Sequence, residues 1–359
     1  MVSMLDCIRR VPSILEGIIK NGEKTFSRLF ETYGTGIENM DEIVLIGSGT
    51  SNTACITARS FMEMASGVRV TALPPSDFLL NISVYNKNAL YVFISQTGTS
   101  IITNKALDFA KEQGFMTVAV SEHDQTPSAK SAGVFVSMGC GREEYPMRTI
   151  GYSSSVLTLM LLGVEVGFKR GNIDSAQRNS YYTDAGNASG NIPDIIENTM
   201  TWLDSNRRNM LRCDGLFFYG SGSLYGVALE GAVKVWETPQ IISVGYEMEE
   251  GIHGPNYGFN HRHCVVVLND GGPEDRKAVA LAKYMKFEKN NGYIVGKSAI
   301  NETDLAFEPL GNAFCCLEFA AVVQVMSYRL AEEQGRDLFA PHDNSVMDSY
   351  FMSHSEAIV

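Results

Sequence analysis

The feature that constrains the fold most is a short pattern that occurs twice. Residues 44–51 read VLIGSGTS and residues 217–223 read FFYGSGS, and a helix-like segment follows each of them. A short apolar run of this kind is typical of a strand covered on both faces, and the glycines allow a tight turn into the next helix. Two copies of one strand–turn–helix unit in a chain of 359 residues predict two similar α/β halves.

Strand-like and helix-like segments alternate through both halves, which favours parallel sheets with helices on both faces. The predicted strands are 43–47, 90–95, 117–121 and 134–138 in the first half and 216–220, 241–246, 264–269, 293–296 and 313–319 in the second. The predicted helices are 1–40, 52–65, 102–113, 154–168, 193–212, 223–236, 273–289 and 320–333, with a polar linker at 169–190.

These segments group into five regions. We expect N-terminal helices at 1–40, a first α/β subdomain at 41–170, a linker and helix at 171–212, a second α/β subdomain at 213–335 and a C-terminal tail at 336–359. Each subdomain should contain a parallel sheet of about five strands.

Charge and composition argue against several classes of partner. The formal net charge is −12 and charged residues make up only 19% of the chain, whereas nucleic-acid and anionic-membrane surfaces need clustered Lys and Arg. No uninterrupted apolar run reaches the roughly 18 residues that span a bilayer, and the charged N-terminus does not resemble a signal peptide. Seven irregularly spaced cysteines indicate free thiols in a reducing compartment. We therefore expect a cytoplasmic protein without a nucleic-acid or membrane partner.

Two loops are suited to an anionic or hydroxylated ligand. Residues 47–51 read GSGTS and residues 95–100 read SQTGTS, and each loop lies between a predicted strand and a predicted helix. Glycines let the backbone approach a ligand, and amides at a helix start point towards an anion. A single hydroxyl residue before a helix is usually only a cap, but two such loops on neighbouring strands indicate a ligand crevice. Neither loop has the dinucleotide or Walker pattern.

A second group of candidates lies on the helix at 223–236 and its extension. Glu230, Lys234 and Glu237 fall on one helix face, which on its own would indicate only an exposed ion pair. Their apolar neighbours argue against that interpretation, and Thr238-Pro239 ends the helix just after Glu237. The negative end of the helix dipole should therefore raise the pKa of Glu237, which suits a proton shuttle.

The two loops resemble the paired signature of the sugar isomerase (SIS) domain family. The similarity is greatest to the isomerase half of glucosamine-6-phosphate synthase and to fructosamine-6-phosphate deglycases, and it covers residues 40–345. It implies two tandem SIS-like subdomains, each a parallel sheet flanked by helices. It also implies that a hexose 6-phosphate is bound by seven residues, namely Gly49, Thr50, Ser51, Ser95, Gln96, Thr97 and Ser100. Two positions depart from the family: Thr99 replaces a common Glu, and Ile150 replaces a lysine in the element at 148–151.

The segment EGIHGP at 250–255 resembles the family's Glu-x-x-His-Gly-Pro motif, which begins at Glu250. The resemblance implies that Glu237 moves a proton between sugar carbons C1 and C2, with Glu230, Lys234 and Glu250 in supporting positions. It also implies that His253 helps to open the sugar ring, and that it does so in a neighbouring subunit, which requires a homodimer or a higher oligomer.

No metal or other cofactor is expected for this chemistry. The cluster of His261, His263 and Cys264 lacks a second pair of zinc ligands and borders a strand. A lone loop histidine such as His253 is usually incidental, so its assignment depends on the motif around it.

Two further departures suggest which reaction is catalysed. The chain begins Met1-Val2-Ser3 without a glutaminase half, and its tail lacks the lysine with which the synthase forms a Schiff base. We therefore predict a deglycase that releases an amine or amino acid from a fructosamine- or glucosamine-type 6-phosphate. The alternatives are an aminosugar-phosphate deaminase, an aldose–ketose phosphosugar isomerase, and a non-catalytic sugar-phosphate sensor. The amine, the sugar epimer and the roles of His342 and His354 stay open.

Overall fold

The computed structural model describes residues 1–355, so the last four residues of the predicted tail lie outside the described part. The chain divides into two compact units. The first-half unit comprises Ser13–Thr183 and the chain from Pro341 onward, and the second-half unit comprises Met1–Pro12 and Asp184–Ala340. Helix α1 (Met4–Asn39) contributes residues to both units.

The first-half unit contains a five-stranded parallel sheet. Its strands are β1 (Glu42–Gly47), β2 (Arg69–Leu73), β3 (Ala89–Ile94), β4 (Met116–Ser121) and β5 (Val134–Ser137), in the spatial order β2-β1-β3-β4-β5. The helices of this unit are α2 (Thr50–Ser66), α3 (Pro75–Leu80), α4 (Ile101–Glu112), α5 (Pro127–Ser131) and α6 (Ile150–Arg170). All residues of β1 and β3 are buried, as expected for strands covered on both faces.

The second-half unit repeats this arrangement. After α7 (Ser175–Met210), which contributes to both units, its strands are β6 (Gly215–Gly220), β7 (Ser243–Glu247), β8 (His263–Asn269), β9 (Gly292–Gly296) and β10 (Leu305–Ala306), in the order β10-β9-β8-β6-β7. Its helices are α8 (Ser223–Glu237), α9 (Met248–Gly251), α10 (Asp275–Glu288) and α11 (Cys316–Glu333), and a last helix, α12 (Ser345–Phe351), lies in the first-half unit. The predicted fold class, two parallel sheets flanked by helices, is confirmed.

The repeated sequence pattern corresponds to a repeated backbone geometry. Gly49 precedes α2 with φ 54° and ψ −127°, and Gly222 precedes α8 with φ 57° and ψ −126°. A positive φ of this kind favours glycine, because side chains with a Cβ rarely adopt it. The two halves therefore use the same turn between their first strand and the following helix.

Two secondary-structure predictions are wrong, and one strand was missed. The segment 169–190, predicted as a linker, lies mostly in α7, because small residues such as Ala185, Ala188 and Ser189 form its buried face while polar residues cover the rest. The strand predicted at 313–319 is a 3-10 turn followed by the start of α11, and the fifth strand is β10. Strand β2 was not predicted, since only one of its residues is fully buried.

No uninterrupted apolar run is long enough to span a bilayer, but two helices are long and apolar on average. Among the described residues, Ile150–Arg170 and Asn312–Glu333 are long and apolar enough to cross a membrane by length and composition alone. Glycine and hydroxyl residues interrupt the first apolar run, and Glu318, Gln324 and Ser327 interrupt the second, without making these segments polar on average. The most apolar stretch of the first is 100% buried and that of the second 83% buried, so protein packing accounts for their composition.

Candidate functional site

The two predicted ligand loops lie at the same edge of the first sheet. Gly47 at the end of β1 is paired with Ile94 at the end of β3, so the residues that follow each strand emerge side by side. Ser95, Gln96 and Ser100 are all more than nine-tenths buried. This is the position in which open α/β sheets place their ligands.

Internal hydrogen bonds hold the second loop in one shape. The hydroxyls of Thr97 and Thr99 lie 2.8 Å apart, and Thr103 donates from its hydroxyl to that of Ser100 at 2.9 Å. Gly98 has a φ of 62°, and a Cβ at this position would lie 2.4 Å from Cβ of Thr126. The loop is thus preorganised, and only glycine fits at its centre.

A carboxylate that the sequence analysis missed lies beside this loop. Glu143 is 4% exposed and caps the start of α6, where it accepts hydrogen bonds from the backbone amides of Thr149, Ile150 and Gly151 at 2.7–3.0 Å. The oxygen that accepts from Gly151, Oε2, also lies 3.3 Å from Nε2 of Gln96. A glutamate six residues before a helix does not match any common capping pattern, so the sequence offered no signal for it.

The tail contacts the same loop. The amide of Ile101 donates to the carbonyl of Ser353 at 3.0 Å, and the amide of Ser355 donates to the carbonyl of Thr99 at 2.9 Å. His354 lies between these contacts in an antiparallel bridge with Ser100. Desolvation lowers the pKa of His354, and the positive charge of Arg148 adds to this effect. The sequence left the role of His354 open, and the structure places it next to the predicted ligand loop.

His342 lies elsewhere on this unit. Its ring packs edge-on against Tyr145, with 5.4 Å between the ring centroids. Tyr145 is itself buried, and it lies in the segment that follows Glu143.

The three charged residues of α8 are in contact with one another in the second-half unit. Nζ of Lys234 lies 2.6 Å from Oε2 of Glu237 and 3.4 Å from Oε1 of Glu230. The side chains of Lys234 and Glu230 are fully buried, whereas that of Glu237 is 34% exposed. The interpretation as an ordinary surface ion pair is therefore wrong.

The ammonium of Lys234 also changes the electrostatic argument for Glu237. The sequence shows only the helix end, which disfavours a negative charge. The contact with a lysine ammonium could not be anticipated, because helix spacing does not show where the lysine side chain points. The carboxylate of Glu237 is thus held beside a buried cation and remains partly accessible.

Packing and hydrogen bonds fix the end of α8 that carries this group. Helix α8 packs against β6, β7 and α11. The carbonyl of Lys234 accepts hydrogen bonds from the hydroxyl of Thr238 at 2.7 Å and from that of Ser327 at 3.0 Å. The last turn therefore has a fixed position, and so does Glu237.

His253 lies after α9 and is largely exposed, with 65% of its side chain accessible. Its Nδ1 lies 2.8 Å from the carbonyl oxygen of Glu249. A carbonyl only accepts hydrogen bonds, so this contact places a proton on Nδ1 and leaves Nε2 as the basic nitrogen. Glu250 is exposed at the start of α9, where its amide donates to Glu247 at 3.1 Å.

The second sheet has its own crevice at the ends of β6 and β8. A cavity of about 250 Å³ is lined by Ser221, Gly222, Ser223 and Asn269, together with three carboxylates. These carboxylates are those of Asp270, Glu274 and Asp275. The repeated loop of the second half thus faces acidic side chains, which disfavour a phosphate.

The residues considered for a metal do not form a site. Within residues 1–355, no group of three or more His, Cys, Asp or Glu side chains is placed to hold a metal ion. Cys264 is buried in β8, which raises the pKa of its thiol, and the ring of His263 packs on Phe217 with 5.0 Å between centroids.

Comparisons with known proteins agree with the resemblance seen in the sequence. The family profile described as the SIS domain matches residues 36–164. Glutamine–fructose-6-phosphate aminotransferase (isomerizing) from Campylobacter jejuni is 24% identical over 351 residues, which covers 93% of this chain and 55% of the relative. The chain thus spans about half the length of the curated relatives it matches.

Two solved structures show the same fold. A protein from Clostridium difficile 630, provisionally assigned as a phosphosugar isomerase, has a TM-score of 0.88 and 23% identity, covering 97% of this chain and 98% of its own. The C-terminal domain of glucosamine-fructose-6-phosphate aminotransferase from Francisella tularensis has a TM-score of 0.84 and 19% identity, covering 94% of this chain and 98% of its own. At these identities the likeness concerns the fold.

Proposed function

We propose that this chain, whose residues 36–164 match the SIS-domain profile, is an enzyme acting on a hexose 6-phosphate-type substrate. The observation that carries the proposal is the contact of the partly exposed Glu237 with the buried Lys234. Burying an ammonium between two carboxylates has a high desolvation cost. Such an arrangement is often retained where a charged group takes part in chemistry.

The proposed chemistry is a proton transfer between neighbouring carbons of an open-chain sugar. Nε2 of His253 accepts the proton of the anomeric hydroxyl and returns a proton to the ring oxygen, which opens the ring. The carboxylate of Glu237 then removes a proton from one of carbons C1 and C2 and delivers it to the other. Lys234 contacts the carboxylate of Glu237 at 2.6 Å and holds it in position for this transfer.

The phosphate is proposed to bind at the first-half loops. Gly49, Thr50 and Ser51 provide an amide-rich turn at the start of α2, and Ser95, Thr97 and Ser100 add hydroxyl donors. A phosphate that takes no part in the reaction would supply binding energy for the substrate.

The specific reaction that we propose is deglycation. The substrate carries an amine on C1 and a carbonyl on C2. A proton moves from C1 to C2 and the N–H proton is replaced by one on the C2 oxygen, so the C2 carbonyl becomes a hydroxyl and the double bond shifts to an imine between C1 and nitrogen. Water then adds to the imine carbon and the amine leaves, which produces a hexose 6-phosphate. Glu237, His253 and the hydroxyl loops are the groups that these steps require.

We further propose a homodimer or higher homo-oligomer in the cytoplasm. His253 lies in an exposed loop with Nε2 as its basic nitrogen, which suits a group that completes the site of a neighbouring subunit. All seven cysteines are free thiols, which fits a reducing compartment.

A substrate panel in heavy water tests the reaction. Fructosamine 6-phosphates of several amino acids, glucosamine 6-phosphate and fructose 6-phosphate would be assayed for released amine and for deuterium uptake at C1 and C2. Deglycation predicts amine release from a fructosamine 6-phosphate, with deuterium in the hexose product. Amine release from glucosamine 6-phosphate alone would identify a deaminase. Deuterium uptake at C1 or C2 of fructose 6-phosphate, without amine release from any substrate, would identify an isomerase. Binding without either result would identify a sensor and refute the enzymatic proposal.

A further inference from the structure

The carboxylate of Glu143 occupies the place where a helix start would otherwise bind an external anion. It accepts hydrogen bonds from three successive amides at the start of α6 and from the hydroxyl of Thr149 at 2.8 Å. Arg148 donates to the carbonyl of Glu143 at 2.8 Å, which holds the residue from its backbone side. An anion is therefore already present at α6, supplied by the chain itself.

The same carboxylate determines which way the amide of Gln96 points. An ionised carboxylate only accepts hydrogen bonds, so the group that Gln96 turns towards Glu143 is its Nε2 donor, at 3.3 Å. Oε1 of Gln96 consequently points away from Glu143 and packs on the backbone of Gly151. A Cβ at Gly151 would lie only 1.8 Å from this oxygen.

Oε1 of Gln96 has no hydrogen-bond partner among the described residues. Gln96 is 7% exposed, so this acceptor is also shielded from water. A buried acceptor without a partner carries a desolvation cost that a hydrogen-bond donor would remove. The ligand loop thus contains an oriented acceptor in a place where the resemblance would lead one to expect a phosphate contact.

We infer that Glu143 is a positioning residue that makes Gln96 an acceptor for a hydroxyl or N–H group of the sugar. Gln96 then binds the sugar part of the ligand, and the hydroxyls and amides of the other loop residues bind the phosphate. This inference rests on the proposed function, because it assumes a sugar phosphate at these loops.

Binding measurements on two probes test the assignment. We expect Gln96→Leu to weaken binding of fructose 6-phosphate about tenfold, the loss of roughly one hydrogen bond. Inorganic phosphate, measured by its competition with fructose 6-phosphate, should change in affinity by less than about twofold. Equal weakening for the two probes would overturn the inference, since Gln96 would then contact the phosphate.

A double-mutant cycle tests whether Glu143 acts through Gln96. Glu143→Gln should weaken fructose 6-phosphate binding by a factor similar to that of Gln96→Leu, and the double variant should be no weaker than either single variant. Additive losses would show that Glu143 does not act through Gln96. Thr149→Val is the matched control, because it removes one hydrogen bond to Glu143 but leaves the contact with Gln96 in place. It should lower thermal stability without changing the preference between the two probes.

Two further measurements keep the inference testable if Glu143→Gln folds poorly or if fructose 6-phosphate does not bind. Gly151→Ala leaves Glu143 intact but displaces the amide of Gln96, so it should cause the same selective loss for the sugar phosphate. Hydrogen exchange of residues 95–100 requires no ligand and should accelerate in Glu143→Gln but not in Thr149→Val. Equal exchange in both variants would refute the positioning role, whereas absent binding with the expected exchange difference would refute only the proposed ligand.

Discussion

Replacing Lys234 with methionine should destabilise the second-half unit far more than replacing a surface lysine. The side chains of Lys234 and Glu230 are fully buried and only 3.4 Å apart, and Glu237 is 2.6 Å from the same ammonium. Methionine has a similar length and no charge, so the substitution leaves the volume nearly unchanged and removes the cation. Glu230 would then be a buried carboxylate without its counter-charge.

The magnitude follows from the burial of each carboxylate. Removing one partner of a buried ion pair typically costs about 3–5 kcal/mol, because the other charge stays buried. Glu237 is 34% exposed and can be solvated, so most of this cost should come from Glu230. Repacking around methionine should contribute less than about 1.5 kcal/mol. We therefore expect the free energy of unfolding to fall by about 3–5 kcal/mol.

Lys297 provides a matched control in the same unit. Its Nζ lies 3.0 Å from Glu308, but the two side chains are 50% and 62% exposed. An exposed pair of this kind contributes about 0–1 kcal/mol, so Lys297→Met should have little effect. The two substitutions remove the same chemical group, and only the burial differs.

Urea unfolding followed by tryptophan fluorescence would measure both variants. Both tryptophans, Trp202 and Trp236, lie in the second-half unit and report on its unfolding. Adding Glu230→Gln to Lys234→Met should recover part of the lost stability, since a neutral side chain needs no cation. For the same reason, acidic pH should reduce the difference in stability between Lys234→Met and the unsubstituted protein. If Lys234→Met costs no more than Lys297→Met, the buried charge cluster is refuted.

The remaining predictions concern the proposed reaction. Glu237→Gln should reduce turnover by roughly 10²–10⁴-fold with a modest change in KM, because the amide keeps the size but cannot act as a base; steady-state kinetics with near-normal turnover would contradict this role. Replacing Ser95 and Thr97 with alanine should weaken hexose 6-phosphate binding by about 1–3 kcal/mol for each charge-assisted hydrogen bond that the substitution removes, measured by calorimetry. An unchanged dissociation constant would exclude these hydroxyls as ligands. Mixing inactive Glu237→Gln chains with inactive His253→Ala chains should restore part of the activity if subunits share sites, and no recovery despite confirmed subunit exchange would count against a shared site.

The sequence was sufficient to predict features that depend on neighbouring residues. The strand–Gly-Ser-Gly–helix units required no tertiary information, since buried strands need apolar runs and the turns at Gly49 and Gly222 need a positive φ. The common helix face of Glu230, Lys234 and Glu237 also follows from spacing alone. Helix α7 was only partly predicted, because the buried residues of its N-terminal part, Ala185, Ala188 and Ser189, are small and hydrophobic periodicity does not detect them.

The tertiary structure alone determined which of these groups are buried and what they contact. Lys234 became a buried counter-ion because α8 is covered by β7, which follows it directly, and by α11, which lies far along the sequence. Glu143 acquired its role by reaching Gln96 across 47 positions of sequence. Local propensity does not encode such long-range contacts. They arise when whole elements pack, and the same packing sets the desolvation cost and electrostatic environment of each charged group.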